Sequence, residues 1–233
     1  IFRLVYVFCH LPSVYCLLFF KLTRLVIVRH AESDLNLQKR IQGQIDSVLT
    51  PKGVAQARKL AARIKNFKVD KIYSSDLGRA YATTVEITRH WKVKIIRDPK
   101  LREINLGDWE GMTPKEVDEL YDKGYQKWLR KPSKCLIPKS ENLSDFRRRI
   151  AGRVREIARA NDGKTVLLVT HGGAITALVA EWLKADFDTL LLNFHIENTS
   201  LLFAEYIEGR IRLRGINDTA HLPRNQRNDH HVS

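Results

Sequence analysis

The sequence predicts an α/β fold, a three-layer sandwich in which a mainly parallel central sheet carries helices on both faces. Short apolar runs, clearest at residues 25–28 and 165–169, are typical of strands that are buried on both sides. These runs alternate along the chain with stretches of helical periodicity. Such alternation requires crossovers that place helices on both faces of a parallel sheet, and ligands of such sheets bind beyond the carboxyl ends of the strands.

The predicted elements begin with the strand at residues 25–28, which ends at Arg29 and His30. A helix then opens at Thr50, an N-cap residue that is followed by Pro51 at the first helical position. The remaining elements are, in order, a strand at 71–74, a helix at 77–91, a strand at 93–96, a helix at 114–129, a loop at 130–141, a basic helix at 143–160, the strand at 165–169, a helix at 174–183 and strands at 200–206 and 210–214.

Composition divides the chain into three parts. We expect a main domain over residues 24–216, a polar C-terminal tail at 217–233 and an apolar N-terminal extension at 1–23. Residues 4–20 are apolar apart from one histidine and one serine, and a proline lies in the middle of this run of 17 residues. That length is at the lower limit for crossing a bilayer, and the run lacks the flanks of a secretory signal. We expect a segment outside the functional domain, with an added strand or helix, or a membrane anchor or signal, as alternatives.

The formal net charge of +14 is high for a chain of 233 residues. Residues 123–155 hold eleven basic side chains against two acidic ones, a net charge of +9. A positive field of this kind attracts phosphorylated ligands, nucleic acid or an acidic membrane surface. The alternative interpretation is that these charges lie on a solvated loop and helix face and bind no ligand. The chain has neither zinc-ligand spacing nor the aromatic signature of RNA-binding modules, so a nucleic-acid partner is not expected. A membrane partner is expected only if the N-terminal apolar segment is an anchor.

The three cysteines, Cys9, Cys16 and Cys135, show neither metal-ligand spacing nor a disulfide framework. An intracellular, reduced protein is the simpler interpretation, and we expect a cytoplasmic location. No cysteine chemistry is predicted.

Three predicted strands end in polar groups of the kind that handle phosphate. Arg29 and His30 follow the first strand, Ser75 and Arg79 follow the second, and His171 follows the strongest one. Neighbouring strands of a parallel sheet lie roughly 5 Å apart, so these side chains can meet around one small anion. Each signal is weak alone, since a single arginine or histidine is usually a packing or surface residue.

Together these groups fit phosphoryl transfer, which needs a nucleophile, cations for the phosphoryl oxygens and a proton for the leaving oxygen. His30 can be the nucleophile, because a neutral imidazole attacks through one nitrogen while the other donates a hydrogen bond. Arg29 and Arg79 can replace a metal, since guanidinium forks match phosphate oxygens and stay charged. His171, if protonated or donating, could hold a further oxygen in the transition state.

The proton for the leaving oxygen points to a carboxylic acid. The segment at residues 101–111 offers Glu103, Asp108 and Glu110. A carboxylic acid serves as a general acid only if burial or an anionic neighbour raises its pKa toward neutrality. Composition alone does not rank the three.

Five ordered motifs between residues 25 and 173 carry a family resemblance: LVIVRHAES at 25–33, LTPKGVAQA at 49–57, SSDLGRA at 74–80, LREINLGDWEG at 101–111 and VTHGG at 169–173. They resemble the histidine phosphatase superfamily, in the branch that holds cofactor-dependent phosphoglycerate mutases and broad-specificity phosphatases. The resemblance implies that His30 is phosphorylated. It also implies that Arg29, Arg79 and His171 surround the phosphate and that Glu103 donates and later accepts the proton.

The resemblance further implies that residues 24–216 form a histidine phosphatase domain, with Asn36 and Gln42 near the phosphate. It implies no metal and no other cofactor. The expected ligand is a small phosphorylated metabolite, and a homodimer is left open. The sequence departs from the family pattern at Ala31, where glycine is usual, and in PKSE at residues 138–141, where the family often has PGGE.

Hydrolysis of phosphate monoesters is the function that we expect. A cofactor-dependent phosphoglycerate mutase is the first alternative, because a mutase shares the whole pocket but returns the phosphate to a reoriented substrate. The 101–111 segment is similar to that of the phosphatases, which favours hydrolysis. A catalytically silent module that binds a phosphorylated ligand is the second alternative, and it is expected to lack part of the catalytic set.

Residues 112–145 are expected to determine substrate specificity. An apolar wall can come from the larger side chains of this region, namely Met112, Tyr121, Tyr125, Trp128 and Leu136. The alternative is that they are packing residues. Lys139 is either a substrate contact or a solvated charge.

Overall fold

The computed structural model describes residues 22–223. Most of the predicted N-terminal extension and residues 224–233 of the predicted tail lie outside the described residues, so the interpretations of those segments stay predictions. The first strand, β1 (Thr23–Arg29), starts inside the predicted extension. Thr23 is buried there, and its hydroxyl donates to the Ala158 carbonyl at 2.9 Å.

The strands after β1 are β2 (Lys71–Ser74), β3 (Ile95–Arg97), β4 (Thr165–Thr170), β5 (Leu201–Ile207) and β6 (Arg210–Asp218). They form one sheet in the order β3-β2-β4-β1-β5-β6. The four strands from β3 to β1 run parallel, whereas β5 and β6 are antiparallel to their neighbours. The sheet is therefore mixed but mainly parallel, as predicted.

The α-helices are α1 (Asp34–Leu37), α2 (Pro51–Ile64), α3 (Gly78–Thr88), α4 (Pro114–Leu120), α5 (Gly124–Arg130), α6 (Leu143–Ala160), α7 (Gly172–Leu183) and α8 (Phe187–Asn193). Thr50 caps α2 as the sequence predicts, because its side chain accepts from the Gly53 amide at 2.9 Å. The long basic helix α6 also has the predicted bounds.

Successive side chains of β1 belong to two different cores. Leu25 and Ile27 pack with the apolar faces of α6 and α7. Val26 and Val28 pack with those of α2 and α3. Because neighbouring side chains of a strand point to opposite faces, the sheet has helices on both sides, and the predicted three-layer sandwich is confirmed.

The predicted helix at 114–129 is in fact two helices. Between α4 and α5, Asp122 and Lys123 have φ angles of 46° and 56°. Two successive residues in the left-handed region end one helix and start another in a new direction. The apolar side chains of α4, α5 and the segments that flank them pack around Trp109, Val117 and Ile137 in a small core of their own.

Two further differences concern short elements. Strand β3 starts two residues later than predicted and ends at Arg97. Helix α8 was not predicted, although Asp186 caps it and residues 187, 190, 191 and 194 have the i, i+3, i+4, i+7 spacing of an apolar helix face. The stretch is only seven residues long, which is too short for that spacing to stand out.

Candidate active site

Strands β1 and β4 lie side by side, and each ends just before a predicted histidine. Arg29 at the end of β1 pairs in register with Thr170 at the end of β4. Strand β2 lies on the other side of β4 and leads into Ser75. His30 and His171 therefore leave adjacent strands at one edge of the sheet, and their ring centroids are 5.2 Å apart.

The His30 ring is buried and held in one tautomer. Its Nδ1 atom lies 2.7 Å from the carbonyl oxygen of Ala31. Because a carbonyl can only accept, Nδ1 carries the proton and Nε2 keeps its lone pair. Burial, followed by the positive charges of Arg79 and Arg29, lowers the pKa of His30 well below its ordinary value. The ring is therefore neutral, which is the form that a nucleophilic imidazole requires.

His171 is also fully buried, and its Nε2 atom lies 2.8 Å from the Ser75 hydroxyl. Burial, followed by the charges of Arg79 and its neighbours, lowers the pKa of His171 well below the ordinary value. When the Ser75 hydroxyl donates to Nε2, Nδ1 carries the proton of the neutral ring. The ring can then donate one hydrogen bond without a positive charge.

Arg29 and Arg79 supply the positive charges that act on His30, and both donate hydrogen bonds to backbone carbonyls. Arg79 is 1% exposed and donates from Nη1 to Ile45 at 2.8 Å and from Nη2 to Gly43 at 2.7 Å. Arg29 donates to the Ile196 carbonyl. Burial lowers the pKa of Arg79 to about 10 and also lowers that of Arg29. Arg79 still carries its charge at neutral pH, so the site has a fixed cation without a metal.

Three nitrogen atoms of these side chains are buried and have no hydrogen-bond partner among the residues that the structure describes. They are Nε of Arg29, Nε of Arg79 and Nδ1 of His171. A buried donor without an acceptor costs free energy, about 1–3 kcal/mol each. Three such donors beside the His30 ring match the several acceptor oxygens of one phosphoryl group.

Glu103 is the one carboxylate of the 101–111 segment that lines the same cavity as His30 and the two arginines. Burial raises the pKa of Glu103, while hydrogen bonds from the Ile104 and Gly173 amides and the charges of the arginines act in the opposite direction. The net shift is upward, which is the shift that a general acid needs.

The other two candidate acids have structural contacts instead. Asp108 forms an ion pair with Lys139 at 2.9 Å, outside the residues that line the cavity. Glu110 accepts from the backbone amides of Gln44, Ile45 and Leu106, and so joins two loops. The structure therefore ranks Glu103 first on geometry.

Hydrogen bonds hold both the carboxylate and the backbone carbonyl of Glu103. Its Oε2 accepts from the Gly173 amide at 2.9 Å, and a Cβ atom at position 173 would lie 2.6 Å from Oε1, so a larger residue there would displace the carboxylate. Its backbone carbonyl accepts from Gln44 at 3.0 Å and from Arg149 of α6 at 3.2 Å. Arg149 also pairs with Glu141 at 2.7 Å, which holds the arginine against this loop.

Asn36 and Gln42 both line the cavity. The Asn36 side-chain oxygen accepts from the amide and the hydroxyl of Ser33. The Gln42 oxygen accepts from the Ser47 hydroxyl, and the single Ser33 hydroxyl proton is donated to the Asn36 or the Gln42 oxygen, one at a time. With both oxygens engaged, the amide NH₂ group of each side chain is the part left to donate to a ligand.

The cavity beside His30 has a volume of about 360 Å³, and its far wall is apolar. The wall consists of side chains from α5, α6 and the region of α8, namely Trp128, Leu143, Phe146, Phe187, Leu191 and Phe194. Helix α8 is the part that sequence reasoning missed. Its i, i+3, i+4, i+7 spacing after the Asp186 N-cap is the signal that could have revealed it.

The expectation for residues 112–145 is corrected in part. Only Trp128 of the five large side chains named for this region lines the cavity. Tyr121 and Tyr125 pack around Trp109, and Leu136 is 95% exposed. Lys139 is exposed and pairs with Asp108, which agrees with a solvated charge and not with a substrate contact.

The two departures from the family pattern leave the site intact. Ala31 is buried and does not adopt a positive φ angle, so the methyl group adds no backbone strain. Its amide donates to Thr83 at 3.0 Å. Lys139 does adopt a positive φ angle, of 60°, which explains why glycine suits that position.

Within residues 22–223, no group of histidine, cysteine, aspartate and glutamate side chains has an arrangement that would hold a metal ion. No helix in this range combines the length and the apolar character needed to cross a bilayer.

A sequence model of the histidine phosphatase superfamily (branch 1) matches residues 25–219. Phosphoserine phosphatase 1 of Hydrogenobacter thermophilus is 32% identical over 201 residues, which cover 86% of this chain and 95% of that protein. The structure of Bacillus stearothermophilus YhfR superposes with a TM-score of 0.82 at 32% identity and covers 85% of this chain and 98% of its own. A phosphoserine phosphatase from Entamoeba histolytica, solved in complex with 3-phosphoglyceric acid, superposes with a TM-score of 0.76 at 30% identity and covers 86% of this chain and 100% of its own.

Proposed function

Because this chain belongs to branch 1 of the histidine phosphatase superfamily, we propose that it hydrolyses phosphate monoesters through a phosphohistidine intermediate on His30. Membership and the phosphatases among its relatives make it a phosphomonoesterase. The residue roles are our proposal. The observation that carries them is the set of three buried, unpartnered donors on Arg29, Arg79 and His171 beside the neutral His30 ring.

In the first step, the Nε2 lone pair of His30 attacks phosphorus and the ester P–O bond breaks. Arg29 and Arg79 neutralise the phosphoryl oxygens, and His171 donates a further hydrogen bond. Glu103 gives its proton to the leaving oxygen, so the alcohol departs neutral. The products of this step are phospho-His30, the alcohol and the Glu103 carboxylate.

In the second step, the Glu103 carboxylate takes a proton from water, and the water oxygen attacks the phosphorus of phospho-His30. The P–N bond breaks, and its electron pair returns to Nε2. Inorganic phosphate leaves, while His30 is again neutral and Glu103 is again protonated. Pre-positioned groups supply the catalysis in both steps, so the proposed mechanism uses no metal.

A mutase and a phosphatase differ in the second acceptor of the phosphoryl group, so one incubation separates them. Purified protein is given 3-phosphoglycerate together with its bisphosphate cofactor, and both inorganic phosphate and 2-phosphoglycerate are measured. We expect phosphate release with little isomerisation. Efficient isomerisation with little free phosphate would instead identify a mutase.

The apolar wall of the cavity predicts that bulky apolar phosphate esters bind better than small polar ones. Leu191→Ala should raise KM for 1-naphthyl phosphate by about 5- to 30-fold, because it removes about 1–2 kcal/mol of apolar contact. KM for phosphoserine should change by less than about twofold. Steady-state kinetics on both substrates test this expectation.

Leu192→Ala is the matched control, since Leu192 is the adjacent leucine of α8 and does not line the cavity. If both variants lose activity equally on both substrates, Leu191 contributes to the stability of α8 and not to substrate binding.

We further propose that the physiological substrate is a small phosphorylated metabolite and that the enzyme acts in the cytoplasm. The cavity volume of about 360 Å³ fits a molecule of that size. The cysteines of the sequence support the location, since their spacing shows no disulfide framework.

A further inference from the structure

The basic excess predicted for residues 123–155 divides into two parts in the structure. On α6, four arginines have carboxylate partners. The ion pairs are Arg148 with Asp145, Arg149 with Glu141, Arg153 with Asp98 and Glu156, and Arg155 with Glu181. These positive charges are neutralised locally and leave little field for a ligand.

The charges of α5 and the turn that follows it are different. Lys127, Arg130, Lys131 and Lys134 line a second cavity of about 540 Å³, and no carboxylate lines it. Within residues 22–223, the one ion pair of these four side chains joins Lys127 to Asp122 at 2.8 Å. Three positive charges therefore remain without an ion-pair partner around one concave surface.

The carboxylates of the neighbouring elements are already engaged. Asp118 accepts from the backbone amides at the start of α5. Asp186 caps α8, where its pKa is lowered by the Thr189 hydrogen bonds and, to a smaller extent, by the Lys131 charge. Asp188 accepts from the amide and the hydroxyl of Ser133. None of them forms an ion pair with Arg130, Lys131 or Lys134 in the described part of the chain.

The cations come together at the end of α5 and in the turn that follows it. Lys127 and Arg130 are related as i and i+3 on the helix, and Lys131 is the first residue after the helix. Trp128 belongs to the other face and lines the cavity of His30. The two cavities share no lining residue, so α5 separates them.

We propose that the second cavity is a binding site for a small soluble anion that carries at least two phosphate groups. Like charges that surround one concavity repel one another, and a multiply charged anion relieves that repulsion while it accepts several charge-assisted hydrogen bonds. The volume of about 540 Å³ and the aromatic side chains of Trp109 and Tyr121 in its lining suit a small molecule. A membrane surface or a duplex would require a broad convex or extended contact instead. The site is independent of the proposed hydrolysis.

Isothermal titration with methylenediphosphonate tests the proposal, since this probe has two phosphonate groups and cannot be hydrolysed. We expect two sites on the unaltered protein, one in each cavity. The variant Lys131→Ala with Lys134→Ala should bind at the second cavity at least about tenfold more weakly, because two charged donors are lost. Its kcat and KM for 4-nitrophenyl phosphate, and the inhibition of that reaction by the probe, should stay unchanged.

The control variant Lys92→Ala with Lys94→Ala removes two exposed positive charges that line neither cavity. It should bind the probe at both sites as the unaltered protein does. A single site on the unaltered protein, or an equal loss in both variants, overturns the proposal. It is also overturned if the Lys131 and Lys134 variant keeps both sites but loses sedimentation with phosphatidylserine vesicles, since the occupant is then a membrane surface.

Discussion

His30→Ala is expected to reduce hydrolysis of 4-nitrophenyl phosphate by at least about 10⁴-fold, the loss typical of a missing nucleophile. The proposed covalent step needs the Nε2 lone pair of His30, and the other neutral ring, that of His171, has its Nε2 engaged with the Ser75 hydroxyl. Rapid alkaline quenching of the unaltered protein with a ³²P-labelled substrate should trap label that acid releases, as expected of a phosphohistidine. The variant should trap none.

His90→Ala is the matched control, because His90 is an exposed histidine at the end of α3. It should retain full activity and full labelling. Circular dichroism should show that both variants are folded, since His30 lines a cavity and belongs to neither of the two main hydrophobic cores. Label that persists in His30→Ala would place the phosphoryl group elsewhere and refute the proposed intermediate.

Glu103→Gln is expected to produce the second largest effect, and the effect should depend on the leaving group. Alkyl phosphates such as phosphoserine need protonation of the leaving oxygen, so kcat/KM should fall by about 10²- to 10⁴-fold. An aryl phosphate such as 4-nitrophenyl phosphate leaves as a stable anion and should lose less than about tenfold. Equal losses on both substrates would reject Glu103 as the general acid.

The pH profile provides an independent test of the same residue. The lowered pKa of His30 keeps the nucleophile neutral into the acidic range, and the raised pKa of Glu103 keeps the acid protonated there. kcat/KM for an alkyl phosphate should therefore be highest under mildly acidic conditions and should fall as pH rises through the pKa of Glu103. This alkaline fall should be absent from Glu103→Gln and present in Asp108→Asn, which changes a carboxylate of the same segment.

The position of the site could be predicted from sequence because it depends on the parallel topology of the sheet and not on side-chain contacts. Buried runs before His30 and His171 predict two strands, and strands of one parallel sheet end at one edge. The identity of the general acid could not be predicted in this way. Glu103, Asp108 and Glu110 lie within one short segment, and they differ only in burial and in partners that come from distant parts of the chain.

The walls of the substrate cavity could not be predicted for a related reason. The break between α4 and α5 depends on two residues with positive φ angles, neither of which is glycine. Helix α8 is short, and its apolar face is explained only by the cavity that it covers. Net charge is equally ambiguous, since the basic residues of α6 and those near α5 look alike in sequence. Four arginines of α6 have carboxylate partners, whereas Arg130, Lys131 and Lys134 have none among the described residues.

The supports of Glu103 come from Gln44, Gly173 and Arg149, whereas α5 and α8 supply much of the apolar wall. Helix α6 contributes to both, but α5 and α8 contribute to the wall without supporting Glu103. Substitutions in α5 or α8 can change which alcohol is accepted while the distance from acid to nucleophile stays the same. A scaffold of this kind can acquire new substrates through a few surface helices during evolution, or in directed selection, without first losing its turnover.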